Sequence, residues 1–170
     1  GIRLHFQVDR RYLALHCLSG RFGRTTPADR ALLSEFQDRA LKFDRDACRF
    51  LFKYDWPVGS LASRGEMGQR AERLIEYLQD DPAFPTLEAQ AKTAAVQTEQ
   101  EWNQDLERTT GIMRELTGIQ FNMDLYVLIT HPAQRNGVSF RENKILWTYR
   151  NDFPHYNTVY LWHEIMHKYI

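Results

Sequence analysis

The chain reads as an α+β protein: a helical N-terminal part, then a small twisted sheet packed on one late helix. Three observations predict this. Apolar residues recur at helical spacing over long stretches between Ala28 and Leu116. Apart from an opening alternation at Ile2–Val8, short β-rich runs follow Gly118, at Phe121–Thr130 and Lys144–Tyr149. One further apolar segment, Val159–Leu161–Trp162–Ile165, closes the chain with a helical pattern. The expected organisation is a single domain over 1–170, with a mainly helical part at 1–118 that opens on a strand. The sheet and last helix occupy 119–170.

Each element has a local reason. Ile2, Leu4, Phe6 and Val8 alternate with Arg3, His5, Gln7 and Asp9, the period of a half-buried strand. Tyr12–Leu18 is compatible with a second extended piece or with the start of a helix. Gly20–Pro27 is a basic, glycine-containing loop. Thr26-Pro27 then opens a helix, with threonine as cap and proline at the first helical position. Its stripe of Leu32, Leu33, Phe36, Ala40, Ala47 and Leu51 predicts one helix to about Lys53. Asp55-Trp56-Pro57-Val58-Gly59 breaks the pattern. A helix over Ser63–Gln79 stops before Asp81-Pro82, because proline disfavours a helical residue before it. Phe84-Pro85-Thr86 reads as a loop with a fresh cap. A long helix over Leu87–Leu116 stops near Gly118, with Gly111 as a point of weakness. His131-Pro132 ends the first C-terminal strand, Asn136-Gly137 is a turn signal, and Gly137–Phe140 is expected to form an edge strand. Pro154 lies in a loop, and Asn157 or Thr158 is expected to cap the final helix.

Composition excludes several classes of function. Lysine plus arginine equals aspartate plus glutamate, 22 each, so there is no electrostatic case for nucleic acid or an anionic membrane surface. No apolar run approaches the roughly 20 residues of a membrane span. Cys17 and Cys48 are too few for a disulfide framework and lack the spacing of a zinc ribbon. The first residue is Gly1, not methionine. A cytoplasmic location is the default expectation, and a secreted or periplasmic one follows if a signal peptide has been removed.

The chemistry-bearing motif is His163-Glu164-Ile165-Met166-His167. Two imidazoles four residues apart on a helix stand on one face, one turn apart, and both can reach one metal ion. The glutamate sits roughly 100° round the helix from His163, placed to face a water and not the metal. The residues before the motif, Val159 to Trp162, are apolar, as a buried helix requires. An iron-carboxylate bundle would need a second ExxH, and no other glutamate has a histidine three residues later.

This pentapeptide on an apolar helix after short strands resembles the N-terminal half of a zincin metallopeptidase domain. The resemblance covers about fifty residues, Phe121 to Ile170. Lys168 departs from it, being charged where zincins carry an uncharged residue. Metzincins place a glycine where this chain has Ile170, and a β-branched residue is poorly suited to that turn, which disfavours that branch. Gluzincins carry a later glutamate and aspzincins a later aspartate as third ligand, and the resemblance is taken as gluzincin-like because that class is the broader. It implies a zinc-dependent hydrolase acting on peptide or protein substrates. Zn2+ is held by His163 and His167, with Glu164 as the catalytic base that activates a zinc-bound water. An extended substrate pairs with the edge strand at Val138, Ser139 and Phe140. The third zinc ligand is expected beyond Ile170, which leaves open an incomplete site or a zincin-like binding module without catalysis. His131, His155, Asp152 and Glu142 are near enough in sequence to be considered, and none is assigned as a ligand.

Overall fold

The computed structural model describes residues 1–20, 22–23, 25–53, 61–133, 138–139 and 143–169. Trp56, the Asn136-Gly137 turn, Phe140, Glu142 and Ile170 lie outside the described residues. The order of elements is β1 (Ile2–Gln7), α1 (Arg10–Ser19), α2 (Pro27–Phe52), a 3-10 turn (Leu61–Arg64), α3 (Gly65–Gln79), α4 (Phe84–Thr117), β2 (Met123–Thr130), β3 (Val138–Ser139), β4 (Lys144–Thr148) and α5 (Tyr156–Met166). This is an α+β fold with a small sheet, as the patterning predicts. No helix among the described residues is long and apolar enough to cross a membrane.

The sheet has the order β1-β2-β4-β3. Its first three strands are parallel, with Leu4 opposite Leu125 and Val127 opposite Ile145. Val138 and Ser139 pair antiparallel with Leu146 and Ile145 and form one edge. Alternation sorts the faces. Leu4 and Phe6 of β1, Leu125, Val127 and Ile129 of β2, and Ile145 and Trp147 of β4 face α4 and α5. Leu128 and Leu146 face the opposite way, against Tyr12 of α1. Both faces are covered, as a parallel sheet requires.

Two apolar clusters divide the molecule. One joins α1, α2, α3 and the start of α4, centred on Leu13, Phe36, Leu74 and Phe84. The other lies between the sheet, the middle of α4 and α5, centred on Trp102, Phe121, Leu161 and Trp162. Helix α4 belongs to both, through Phe84, Leu87 and Ala91 at its start and Ala94, Ala95 and Trp102 further on. At 34 residues it spans about 50 Å, long enough to serve as a common backbone.

Several local expectations change. The segment from Tyr12 to Leu18 is helical, because Asp9 caps it by accepting from the Tyr12 amide at 3.0 Å. Six consecutive residues, Leu13 to Leu18, are buried, so this helix has no polar face to betray its period. Helix α4 starts at Phe84, not Leu87, and takes Pro85 into its first turn, where a missing N–H costs nothing. No side chain caps it; the Asp81 carboxylate accepts from the Ala83 amide just before it, at 2.9 Å. It runs unbroken through Gly111 and ends at Gly118, whose φ of 71° is left-handed.

Helix α2 is not continuous. Asp44 is non-helical and its carboxylate accepts from the Ala47 amide at 3.1 Å, which makes it the cap of a new helix. The same carboxylate takes a two-pronged contact from Arg70 of α3, at 2.6 and 2.8 Å. Arg70 holds the Asp44 carboxyl below its ordinary value against the opposing effect of burial. Arg11 does the same for Glu72. A carboxylate lowered in this way contributes stability above its unfolded pKa and loses it as pH falls through the folded one. Melting temperature is therefore expected to fall steeply below about pH 4. Asp44→Asn, which keeps an acceptor for Ala47, is expected to flatten part of that acid limb. Asp44→Ala should lose the cap as well, at about 1 kcal/mol more, and thermal melts across pH check both.

Candidate metal centre

Helix α5 is apolar on one side and open on the other. Leu161, Trp162, Glu164 and Ile165 are buried, while Val159, Tyr160, His163 and His167 are exposed. The α-helical assignment ends at Met166, and the last turn tightens, with the Lys168 and Tyr169 amides bonding to the carbonyls of Ile165 and Met166. Tyr169 then folds back so that its hydroxyl accepts from the Asn122 amide at 3.2 Å and its ring meets Phe121. The end of the motif is thereby tied to the entry of β2.

His163 and His167 meet as the spacing requires. Their Nε2 atoms lie 3.1 Å apart and their rings are perpendicular. Zinc at ~2.0–2.1 Å from two nitrogens in tetrahedral geometry holds them about 3.3 Å apart. The pair fits that ion with a shift of a few tenths of an ångström. Ligand atoms of His163, Glu164 and His167 all lie within 4.8 Å of one another, and no other group of three or more metal-binding side chains forms among the described residues.

The carboxylate between them differs from the imidazoles in environment. Glu164 is only 8% exposed. Burial pushes its carboxyl above the ordinary value, and His163, His167 and Lys168 partly oppose that. Lys168, the departure from the zincin pattern, folds toward the sheet and donates to the Lys144 carbonyl at 3.3 Å. Its ammonium is lowered by burial, with Glu164 acting in the other direction. The two groups therefore act on each other electrostatically at the end of the motif.

Of the remaining sequence candidates, Glu142 lies outside the described residues and the other three are engaged elsewhere. His155 bonds Asp105 at 2.7 Å, His131 bonds Asp29 at 3.1 Å and Asp152 bonds Arg150 at 2.6 Å. Val138 and Ser139 form the edge strand β3, which runs beside α5. Among the described residues no strand pairs with its outer side. Cys17 and Cys48 are free and buried, and burial raises both thiols, Cys48 to about 11, so neither is a nucleophile at neutral pH.

Two expectations about the start of α5 are corrected. Neither Asn157 nor Thr158 is its cap; the cap position is His155, in the left-handed region at φ 63°. Asn157 is fully buried and binds the end of β4 instead. Its Oδ1 accepts from Trp147 Nε1 at 3.0 Å and the Arg150 amide at 3.1 Å, and its Nδ2 donates to the Arg150 carbonyl at 2.6 Å. The first turn of α5 is capped from outside by α4. Glu101 accepts from the Thr158 amide at 2.8 Å, and Asp105 accepts from the Thr158 hydroxyl at 2.7 Å. Burial acts to raise the Asp105 carboxyl, but bonds from Thr158 and His155 outweigh it and hold it below its ordinary value. Sequence reasoning missed Glu101 and Asp105, since acids on a long helix look like a solvated face.

Two hollows lie apart from the histidine pair. A groove of about 390 Å³ between α4 and α5 is walled by Ile112, Met113, Pro154, His155, Val159 and Trp162, among others. Another, of about 630 Å³, sits beyond the ends of β2 and β4, against Ala133, Tyr149 and Arg150. The described lining of neither includes His163, Glu164 or His167. No family model, no curated protein and no solved structure matches the chain.

Proposed function

We propose that this chain carries the catalytic helix of a zinc-dependent peptidase of the gluzincin-like kind. The observation that supports this most is the pairing of two exposed imidazoles, 3.1 Å apart, with a buried carboxylate one residue along. His163 and His167 would hold the ion as neutral ligands, joined by a third ligand from outside the described residues. When bound, zinc supplies Lewis acidity to a peptide carbonyl and lowers the pKa of a water near it. Glu164 takes the proton of the attacking water and passes it to the leaving amine. Burial raises its carboxyl above the ordinary value, which strengthens it as a proton acceptor for that exchange. Extended substrate would lie along the open side of β3, bonding through its main chain to Val138 and Ser139 and, in the sequence reading, Phe140.

A second reading is favoured by one observation: among the described residues no third ligand joins the pair other than Glu164, which the mechanism keeps off the metal. In that reading the domain binds zinc or peptide without hydrolysis. Peptide-library cleavage with metal analysis separates the two. A peptidase is expected to contain one zinc per chain, to lose hydrolysis on chelation, and to regain it with stoichiometric zinc. Full zinc occupancy with no cleavage of any library member would exclude the peptidase reading.

A further inference from the structure

Helix α5 has 11 residues, about three turns, too short to be stable alone. Its place is set by what it packs on. On α4, Glu101, Asp105 and Thr109 follow at four-residue intervals and so share one face. Each of them bonds α5. Glu101 accepts from the Thr158 amide and, at 3.3 Å, from the Asn157 side chain. Asp105 accepts from the Thr158 hydroxyl and the His155 ring, both at 2.7 Å. Thr109 accepts from Trp162 Nε1 at 2.9 Å while donating to the Asp105 carbonyl at 2.7 Å.

These bonds do more than fill polar groups. The two carboxylates sit at the positive end of α5 and satisfy a first-turn amide that no residue of α5 caps. The His155 ring is drawn to Asp105 from a left-handed backbone, which fixes where the helix begins. The Trp162 indole is pinned next to His163. Fixing both the start of a helix and a side chain further along it fixes its rotation about its own axis. A slip of one residue would turn the histidine face by roughly 100°.

We propose that Glu101, Asp105 and Thr109 are positioning residues for the metal pair, a polar template on α4 that sets the register of α5 and hence the aim of His163 and His167. This rests on the reading of those histidines as metal ligands. The three residues touch neither metal nor substrate; they act through α5, as outer partners of metal ligands do elsewhere.

The test uses Co2+ and Zn2+ as probes on the folded chain. Glu101→Gln and Asp105→Asn are each expected to weaken Co2+ affinity about tenfold and to change the intensity of its visible absorption bands. Thr109→Val, which removes a single hydroxyl, should cause a smaller loss in the same direction, and it carries the test if the carboxylate variants do not fold. Leu74→Ala, in the buried cluster among α1, α2 and α3, serves as the control for lost stability alone. It is expected to melt earlier while binding Co2+ unchanged. Folded α4 variants with unaltered affinity and spectrum overturn the positioning role and leave the metal reading intact. Equal weakening in Leu74→Ala also overturns it, by reducing the effect to stability. Failure of the unaltered full-length protein to bind either ion overturns both.

Discussion

Glu164→Gln is expected to lower kcat by a factor of about 10²–10⁴ while zinc content stays at one per chain. The substitution keeps the size of the side chain and removes only its capacity to take a proton. His163 and His167, whose nitrogens form the pair, are untouched, so the ion is retained. The buried position of Glu164 makes the amide a mild change for folding, since no hydrogen bond from another group is broken among those described. The pH dependence sharpens the test. A base must be deprotonated to act, so hydrolysis should fall as pH drops through the Glu164 pKa, which burial places above the ordinary carboxylate value. That acid limb should vanish from whatever activity Glu164→Gln retains. His163→Ala is the contrasting variant: it should lose the zinc along with the hydrolysis. Full activity in Glu164→Gln with zinc bound would remove Glu164 from the mechanism.

Much of this site was legible in the sequence because the signals were short-range. Two histidines at one-turn spacing on an apolar helix share one face, and their side chains bring the Nε2 atoms to 3.1 Å of each other. The stop at Gly118 and the cap at Thr26 were legible for the same reason. What was not legible lies in long-range pairing. Nothing in Ile2–Gln7 says that it pairs in parallel with Met123–Leu128, more than a hundred residues away. Asp44 is unremarkable in a helical pattern until Arg70 arrives from α3 to hold its carboxylate. Glu101 and Asp105 carry the composition of a wet surface, and only the approach of α5 turns them inward. A capping residue can be read from its neighbours in sequence; a cap supplied by another helix cannot.

Asn157 shows the consequence most clearly, and its replacement is expected to cost far more than the loss of a cap. As a cap of α5, the role the sequence offers to Asn157 or Thr158, the residue would contribute about 1 kcal/mol. Its amide instead uses both acceptor sites and both donors: it accepts from Trp147 Nε1 and the Arg150 amide, and it donates to the Arg150 carbonyl and Glu101. Asn157→Leu fills similar space and supplies none of these. The Trp147 indole is left in a buried site without its partner, and both backbone groups of Arg150 lose theirs, at about 1–3 kcal/mol for each group that water cannot reach. The expected loss is about 3–5 kcal/mol, or roughly 10 °C in melting temperature. Asn157→Asp is the informative companion. It keeps the acceptor for Trp147 and Arg150 but sets a second negative charge beside Glu101, and burial and repulsion raise its carboxyl in the folded state. A raised carboxyl binds its proton more tightly folded than unfolded, so this destabilisation should shrink as pH falls toward 5. Urea unfolding of both variants across pH distinguishes the roles. A loss near 1 kcal/mol in Asn157→Leu, with no pH dependence in Asn157→Asp, is what an ordinary helix cap predicts, and it would mean that the link between β4 and α5 does not hold α5 in place.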